Sequence, residues 1–120
     1  MVLVDTSVWV SHLRDGNNEL ASLLNEGRVL CHPFIIGELA CGNLKDRAII
    51  LSFLQWLPMS IEAEHEEVLF FIENNRLMGK GIGYVDAHLI TSAVLTGIPI
   101  WTLDKKLAQV ADGLQIKYKF

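Results

Sequence analysis

The 120 residues include 51 % hydrophobic and 20 % charged side chains, with 10 lysines and arginines against 14 aspartates and glutamates, for a net charge of −4. That length suits one ordinary domain, 1–120, able to bury a core without disulfides or a structural metal, and the composition excludes disorder. An isoelectric point near 5.5 excludes a general attraction for nucleic acid, and a mean hydropathy of +0.32 implies more apolar surface than one small core hides, so a protein partner is expected.

In chain order, a first strand near 1–4 runs from Val2 into Asp5 and is followed by helices near 6–14 and 17–26. After the stop at Gly27, a second strand near 28–31 leads to Pro33, which suits the first position of a helix over 33–43. A helix near 45–56 contains IILSFLQWL at 49–57, apolar on nearly every side, which predicts either a helix sandwiched in the core or one that meets another chain. A third strand near 58–61 and a helix near 64–79 come next. The GKGIG loop at 79–83 follows a helix and lacks the Walker spacing, so it reads as an approach to the next helix, with Lys80 within reach of a substrate. That helix, near 84–96, stops at Gly97; a strand near 98–102, a helix near 104–112 stopped by Gly113, and a strand near 115–118 complete the chain.

Strands alternating with helices predict an α/β fold with a parallel sheet covered on both faces. No apolar run approaches the roughly 18 residues that cross a bilayer, and no basic leader precedes Val2, so a cytoplasmic protein without membrane contact is expected. Cys31 and Cys41 lack CxxC spacing and lie among apolar residues, which reads as two buried free thiols.

Four acids carry the functional argument. Asp5 and Asp104 each follow a strand, and in open parallel sheets ligands bind beyond the carboxyl ends of the strands. Either acid could instead simply cap the following helix. Asp86 opens a helix and heads an apolar stripe of Leu89, Ile90 and Ala93. Glu38 falls mid-helix beside Phe34, Ile35 and Cys41, where a buried carboxylate is expected to be neutral or bound to a cation. Gathered in one crevice, the four would repel one another unless a hard cation neutralised them. Magnesium or manganese suits an all-oxygen site, whereas the scattered His12, His32, His65 and His88 and the lack of a cysteine cluster argue against zinc. Thr6, Ser7 and Thr102 stand where their hydroxyls can hold the acids, or merely cap helices.

DTSVW at 5–9, GEL at 37–39 followed by ACG, GIGYVDAHL at 81–89 and WTLDKKL at 101–107 together resemble the PIN domain, and specifically the VapC-type toxins of bacterial toxin–antitoxin pairs. The resemblance runs from Val2 to about Leu114; the HLITSA run at 88–93 departs from the small aliphatic residues more usual there. It implies a five-stranded parallel sheet between helices, a homodimer, and a cognate antitoxin whose tail occupies the groove. It further implies a ribonuclease that uses Mg2+ or Mn2+, with Asp5, Glu38, Asp86 and Asp104 as catalytic metal ligands, supported by Thr102, Ser7 and Thr6. Around the rim, Arg14, Lys45, Arg47, Lys80, Lys105 and Lys106 are candidates for contacts with RNA phosphates.

Two other enzyme readings fail on named features. A flavodoxin-like phosphoacceptor leaves Glu38 unexplained, and a haloacid-dehalogenase-type phosphatase requires an acid where Ser7 stands. A protein of this fold that binds antitoxin or RNA without turnover is the alternative.

Overall fold

The computed structural model describes residues 1–120. In order, the elements are β1 (Val2–Val4), α1 (Thr6–Asp15), α2 (Asn18–Asn25), β2 (Val29–Leu30), α3 (Pro33–Ala40), α4 (Arg47–Trp56), α5 (His65–Asn75), α6 (Tyr84–Thr96), β3 (Ile100–Trp101) and α7 (Lys105–Gly113). The sheet order is β2-β1-β3, all parallel, with Val2 opposite Val29 on one side and Val4 opposite Trp101 on the other. Val2, Leu3 and Val4 are at most 1 % exposed, so both faces of the central strand are covered, as a parallel sheet requires. The chain passes to one side of β1 through α1 and α2 and returns to the other side after α6. The switch in strand order therefore lies at the carboxyl end of β1.

The sheet has three strands, not the expected five. The segments near 58–61 and 115–118 reach its two edges but each forms a single parallel bridge, Cys31 with Met59 and Ile100 with Lys117. Local chemistry limits both ladders: Pro58 has no N–H to donate, and Gln115 sits in the left-handed region at φ 62° just before the other segment. Short, bridge-only edges also offer little to a foreign strand.

Helix ends follow the sequence closely in places. His32 caps α3, its Nδ1 accepting from the Phe34 N–H at 3.0 Å, and Pro33 takes the first turn. Gly97, at φ 77°, ends α6 by donating its N–H to the Ala93 carbonyl. By contrast α5 stops at Asn75 rather than 79, because Arg76 turns left-handed at φ 53°. Gly113 is the last residue of α7, and the left-handed turn falls two residues later, at Gln115.

The core joins β1 to the inner faces of the helices, with Trp9, Leu20, Leu23, Ile35, Leu39, Leu54, Leu89 and Ile90 essentially inaccessible. Cys31 is buried there, and burial pushes its thiol up to about 11. Cys41 is exposed, contrary to the expectation of two buried thiols, because it follows the last residue of α3 where the chain turns outward. The sandwiched-helix reading of α4 also fails. Leu54 is its one buried residue, while Ile49, Phe53 and Trp56 are 70 %, 46 % and 86 % exposed. No helix is long and apolar enough to cross a membrane.

Candidate functional site

Beyond the carboxyl end of β1, Asp5 is almost fully buried. Its Oδ2 accepts from the Ser7 hydroxyl at 2.8 Å and from the Thr102 hydroxyl at 2.7 Å. Thr102 also accepts the Asp104 N–H at 3.1 Å, and Ser7 Oγ accepts the Leu103 N–H at 3.0 Å. Two hydroxyls thus tie the end of β1 to the turn after β3, a span of 97 residues in sequence. Asp104 begins α7, its Oδ1 accepting from the Leu107 N–H at 3.0 Å, so the capping role and a place in the crevice coexist.

Glu38 corrects an expectation. Its carboxylate is exposed rather than buried, because the α3 face it shares with Phe34 opens onto the crevice while Ile35 and Leu39 carry the packing. Glu38 Oε1 accepts from the Thr6 hydroxyl at 2.7 Å, which fastens α3 to the start of α1. Asp86 lies half-buried in the first turn of α6, and Leu89, Ile90 and Ala93 below it are buried, as the stripe predicts. Its Oδ2 takes a long hydrogen bond from the Gly83 N–H, 3.4 Å.

The four carboxylates share one arrangement. Each commits a single oxygen to a positioning hydrogen bond: Oδ2 of Asp5, Oε1 of Glu38, Oδ2 of Asp86 and Oδ1 of Asp104. The other oxygen of each accepts nothing within the chain. The charge is also uncompensated, since the only ion pairs are Arg14–Asp15 and Arg28–Glu26, elsewhere on the surface. Burial, and then the negative charges of Asp5, Asp104 and Glu38, raise the Asp86 carboxyl above its ordinary 3.8, opposed by the Gly83 hydrogen bond. Asp5, Asp104 and Glu38 therefore each lie within electrostatic reach of Asp86. No three His, Cys, Asp or Glu side chains stand close enough here to enclose one ion. Four mutually repelling carboxylates without a counter-charge are expected to stand apart in this way.

The donor set nevertheless fits a hard divalent cation. It is all oxygen, it offers one free oxygen per residue, and the hydroxyls of Thr6, Ser7 and Thr102 already orient the ligands from behind. Nitrogen and sulfur donors do not enter it. His88 lies two residues beyond Asp86 but is 4 % exposed and packs between Phe34 and His32, at ring centroid separations of 4.4 and 5.2 Å. His32 is fully buried. Because its Nδ1 accepts from Phe34, its proton sits on Nε2, facing Ser92 Oγ at 3.2 Å. Burial, followed by the neighbouring His88, pushes its pKa down to about 4.

Of the basic candidates, Arg14 is engaged with Asp15 and Arg47 donates to the Ala40 carbonyl at 2.9 Å. Lys45 lines a cavity with Val10, Leu13, Arg14 and Leu44, and Lys105 is exposed at the start of α7. Lys80 and Lys106 line one cavity together. That pairing was hidden in the sequence, where 26 positions separate them; the glycines of GKGIG were the only signal of a close approach.

Comparison with known proteins agrees with this geometry. The PIN domain family model matches residues 2–113. Ribonuclease VapC32 of Mycobacterium tuberculosis is 44 % identical over 108 residues, covering 89 % of this chain and 87 % of that protein, in each of two strains. Among solved structures, FitAcB from Neisseria gonorrhoeae superposes with a TM-score of 0.65 at 21 % identity, over 93 % of this chain and 94 % of that one. PAE2754 from Pyrobaculum aerophilum gives 0.62 at 17 % identity, over 93 % and 80 %. Four spaced acidic motifs, a parallel sheet that places them together, and a family match over nearly the whole length agree: the chain belongs to the PIN-domain family, among its VapC-type members.

Proposed function

We propose that the chain acts as one PIN domain, a ribonuclease toxin that hydrolyses RNA phosphodiesters with Mg2+ or Mn2+ held by Asp5, Glu38, Asp86 and Asp104. The observation that carries this reading is the set of four uncompensated carboxylates, each with one oxygen anchored and one free, at the switch point of the sheet. The name of the VapC32 relative supports RNA as the substrate. A divalent cation at these oxygens supplies a bound water of lowered pKa and stabilises charge on the phosphate being cleaved. The chain's own part is orientation. Ser7 and Thr102 fix the Asp5 carboxylate, Thr6 fixes Glu38, and the first turns of α6 and α7 aim Asp86 and Asp104 at the same opening. An RNA substrate places the protein in the cytoplasm.

Purified protein freed of partners is expected to cleave single-stranded RNA when Mg2+ or Mn2+ is added and to stop when a chelator is added. Retained RNA binding with no cleavage under any divalent metal would instead favour the alternative, a protein of this fold that acts by binding alone.

Two apolar faces suit the two protein partners of this reading. On α4, Ile49, Phe53 and Trp56 project beside the basic Lys45 and Arg47, and we assign this face to the antitoxin. Phe70 of α5 and Val94 and Leu95 of α6 form a second patch, lining a cavity of about 430 Å3, and we assign it to a second copy of the chain. On antitoxin binding, amide hydrogen exchange over 47–57 is expected to slow at least about tenfold. Unchanged exchange there, with protection elsewhere, would remove the α4 assignment.

A further inference from the structure

A cavity of about 260 Å3 that the four acids do not line is formed chiefly by Asn75, Leu77, Lys80, Lys106, Gln109 and Val110. Its walls are the elements that present two of the catalytic acids. Lys106 stands two residues after Asp104 in the first turn of α7, and Lys80 is on the loop that leads to Asp86.

Three features bear on the ligand this cavity suits. First, neither lysine pairs with a carboxylate, although acids outnumber bases in the chain. Second, the Lys106 side chain is laid across Gly81. A Cβ at that glycine would fall 2.5 Å from Lys106 Cδ and 3.1 Å from its Nζ, contacts that the flexible end of the lysine can relieve by shifting, whereas the φ of 81° is what favours glycine there. Third, the cavity has an apolar floor and an amide rim. Leu77 and Val110 are buried, whereas Gln109 is exposed and Asn75 uses one N–H on the Phe71 carbonyl, leaving its Oδ1 free.

Whole small-molecule sites usually enclose about 300–1,000 Å3, so a space of this size fits one unit of a longer ligand held elsewhere as well. The ligand must be anionic, to meet two unpaired ammonium groups. We propose that this cavity is a nucleotide subsite. It takes one nucleotide of single-stranded RNA adjoining the cleaved phosphodiester, with Lys80 and Lys106 on its phosphate, its base over Leu77 and Val110, and the amides of Asn75 and Gln109 at the base edge. This rests on the ribonuclease reading, and its test separates the two.

Binding of a fluorescent single-stranded RNA oligonucleotide is measured in a chelator across a range of salt, where cleavage plays no part. Each phosphate neutralised contributes a slope of about 0.7 in log K against log salt for a single strand, and both lysines meet the same phosphate, so Lys80→Gln combined with Lys106→Gln should flatten the slope by about 0.7. Affinity should fall roughly tenfold at 0.1 M salt, whereas Lys119→Gln, at the far end of the chain, should change neither. In steady-state cleavage the double variant should raise KM about tenfold with kcat within about twofold, and Lys106→Arg should restore most of the loss. If the parent chain binds RNA with this dependence yet never cleaves it, the nuclease reading fails and the subsite stands. If the parent cleaves but slope and KM are unmoved in the double variant, the subsite is wrong. Failure of the parent to bind RNA at all overturns it as well.

Discussion

Asp5→Asn is expected to lower RNA cleavage by more than 100-fold while leaving the fold and its stability nearly unchanged. The magnitude follows from comparison: loss of a residue that merely orients a metal ligand costs roughly 10–100-fold, so loss of the ligand's own charge should exceed that. The survival of the fold follows from the local contacts. Asparagine keeps the shape, its carbonyl oxygen can still accept from Ser7 and Thr102, and α1 begins at Asp5 without any side-chain cap bond that the charge must supply. Thr102→Val, which removes an orienting hydroxyl alone, should fall in the 10–100-fold range. Rates under Mg2+ and thermal melts of both variants check this ordering. Cleavage by Asp5→Asn at the parent rate would remove the acid cluster from the mechanism.

The second large effect concerns stability in acid. His32 is buried and neutral. Its Nδ1 accepts from the Phe34 N–H at the head of α3, and Nε2 faces Ser92 Oγ, which also accepts the Ala63 N–H at 3.1 Å. Protonation would put a hydrogen on Nδ1 and expel the helix cap. The folded pKa of about 4 lies below the ordinary 6.5, so the unfolded chain takes up the proton first. Stability is therefore full above about pH 6.5 and is lost as pH falls toward 4, by about 3 kcal/mol for a shift of this size. Asp86 acts with the opposite sign but in a lower window. Its carboxyl is raised, so protonation near the carboxylate range relieves repulsion and returns some stability. Urea denaturation between pH 7 and 4.5 should show the loss. His32→Asn, which preserves a cap acceptor and cannot titrate, should flatten the profile at the cost of a small cavity. A parent profile already flat over that range would contradict the assignment to His32.

The residues most legible in sequence were those whose neighbours along the chain determine their place. Asp5 and Asp104 follow strands, and a parallel sheet brings strand ends together whatever happens between them. The stripe below Asp86 needed only helical periodicity, and Pro33 marked its own helix start. Glu38 was read as buried, and it is exposed. A mid-helix acid among apolar residues looks buried, but a stretch of high overall hydrophobicity does not show which face packs, and here Ile35 and Leu39 do so. The missing outer strands were illegible for a related reason, since apolar composition near 58–61 and 115–118 does not reveal how many backbone groups find partners. The His32–Ser92 bond and the Lys80–Lys106 cavity join residues 60 and 26 positions apart, and no local pattern encodes such pairs.

The proposed binding of a divalent ion by Asp5, Glu38, Asp86 and Asp104 is most directly tested by anomalous diffraction from crystals of the protein grown or soaked with Mn2+. A manganese peak bonded to the carboxylate oxygens that accept no hydrogen bond within the chain is expected, as is its disappearance in Asp5→Asn crystals under the same conditions. Saturating manganese with no peak among the four acids, or a peak held by other residues alone, would contradict it.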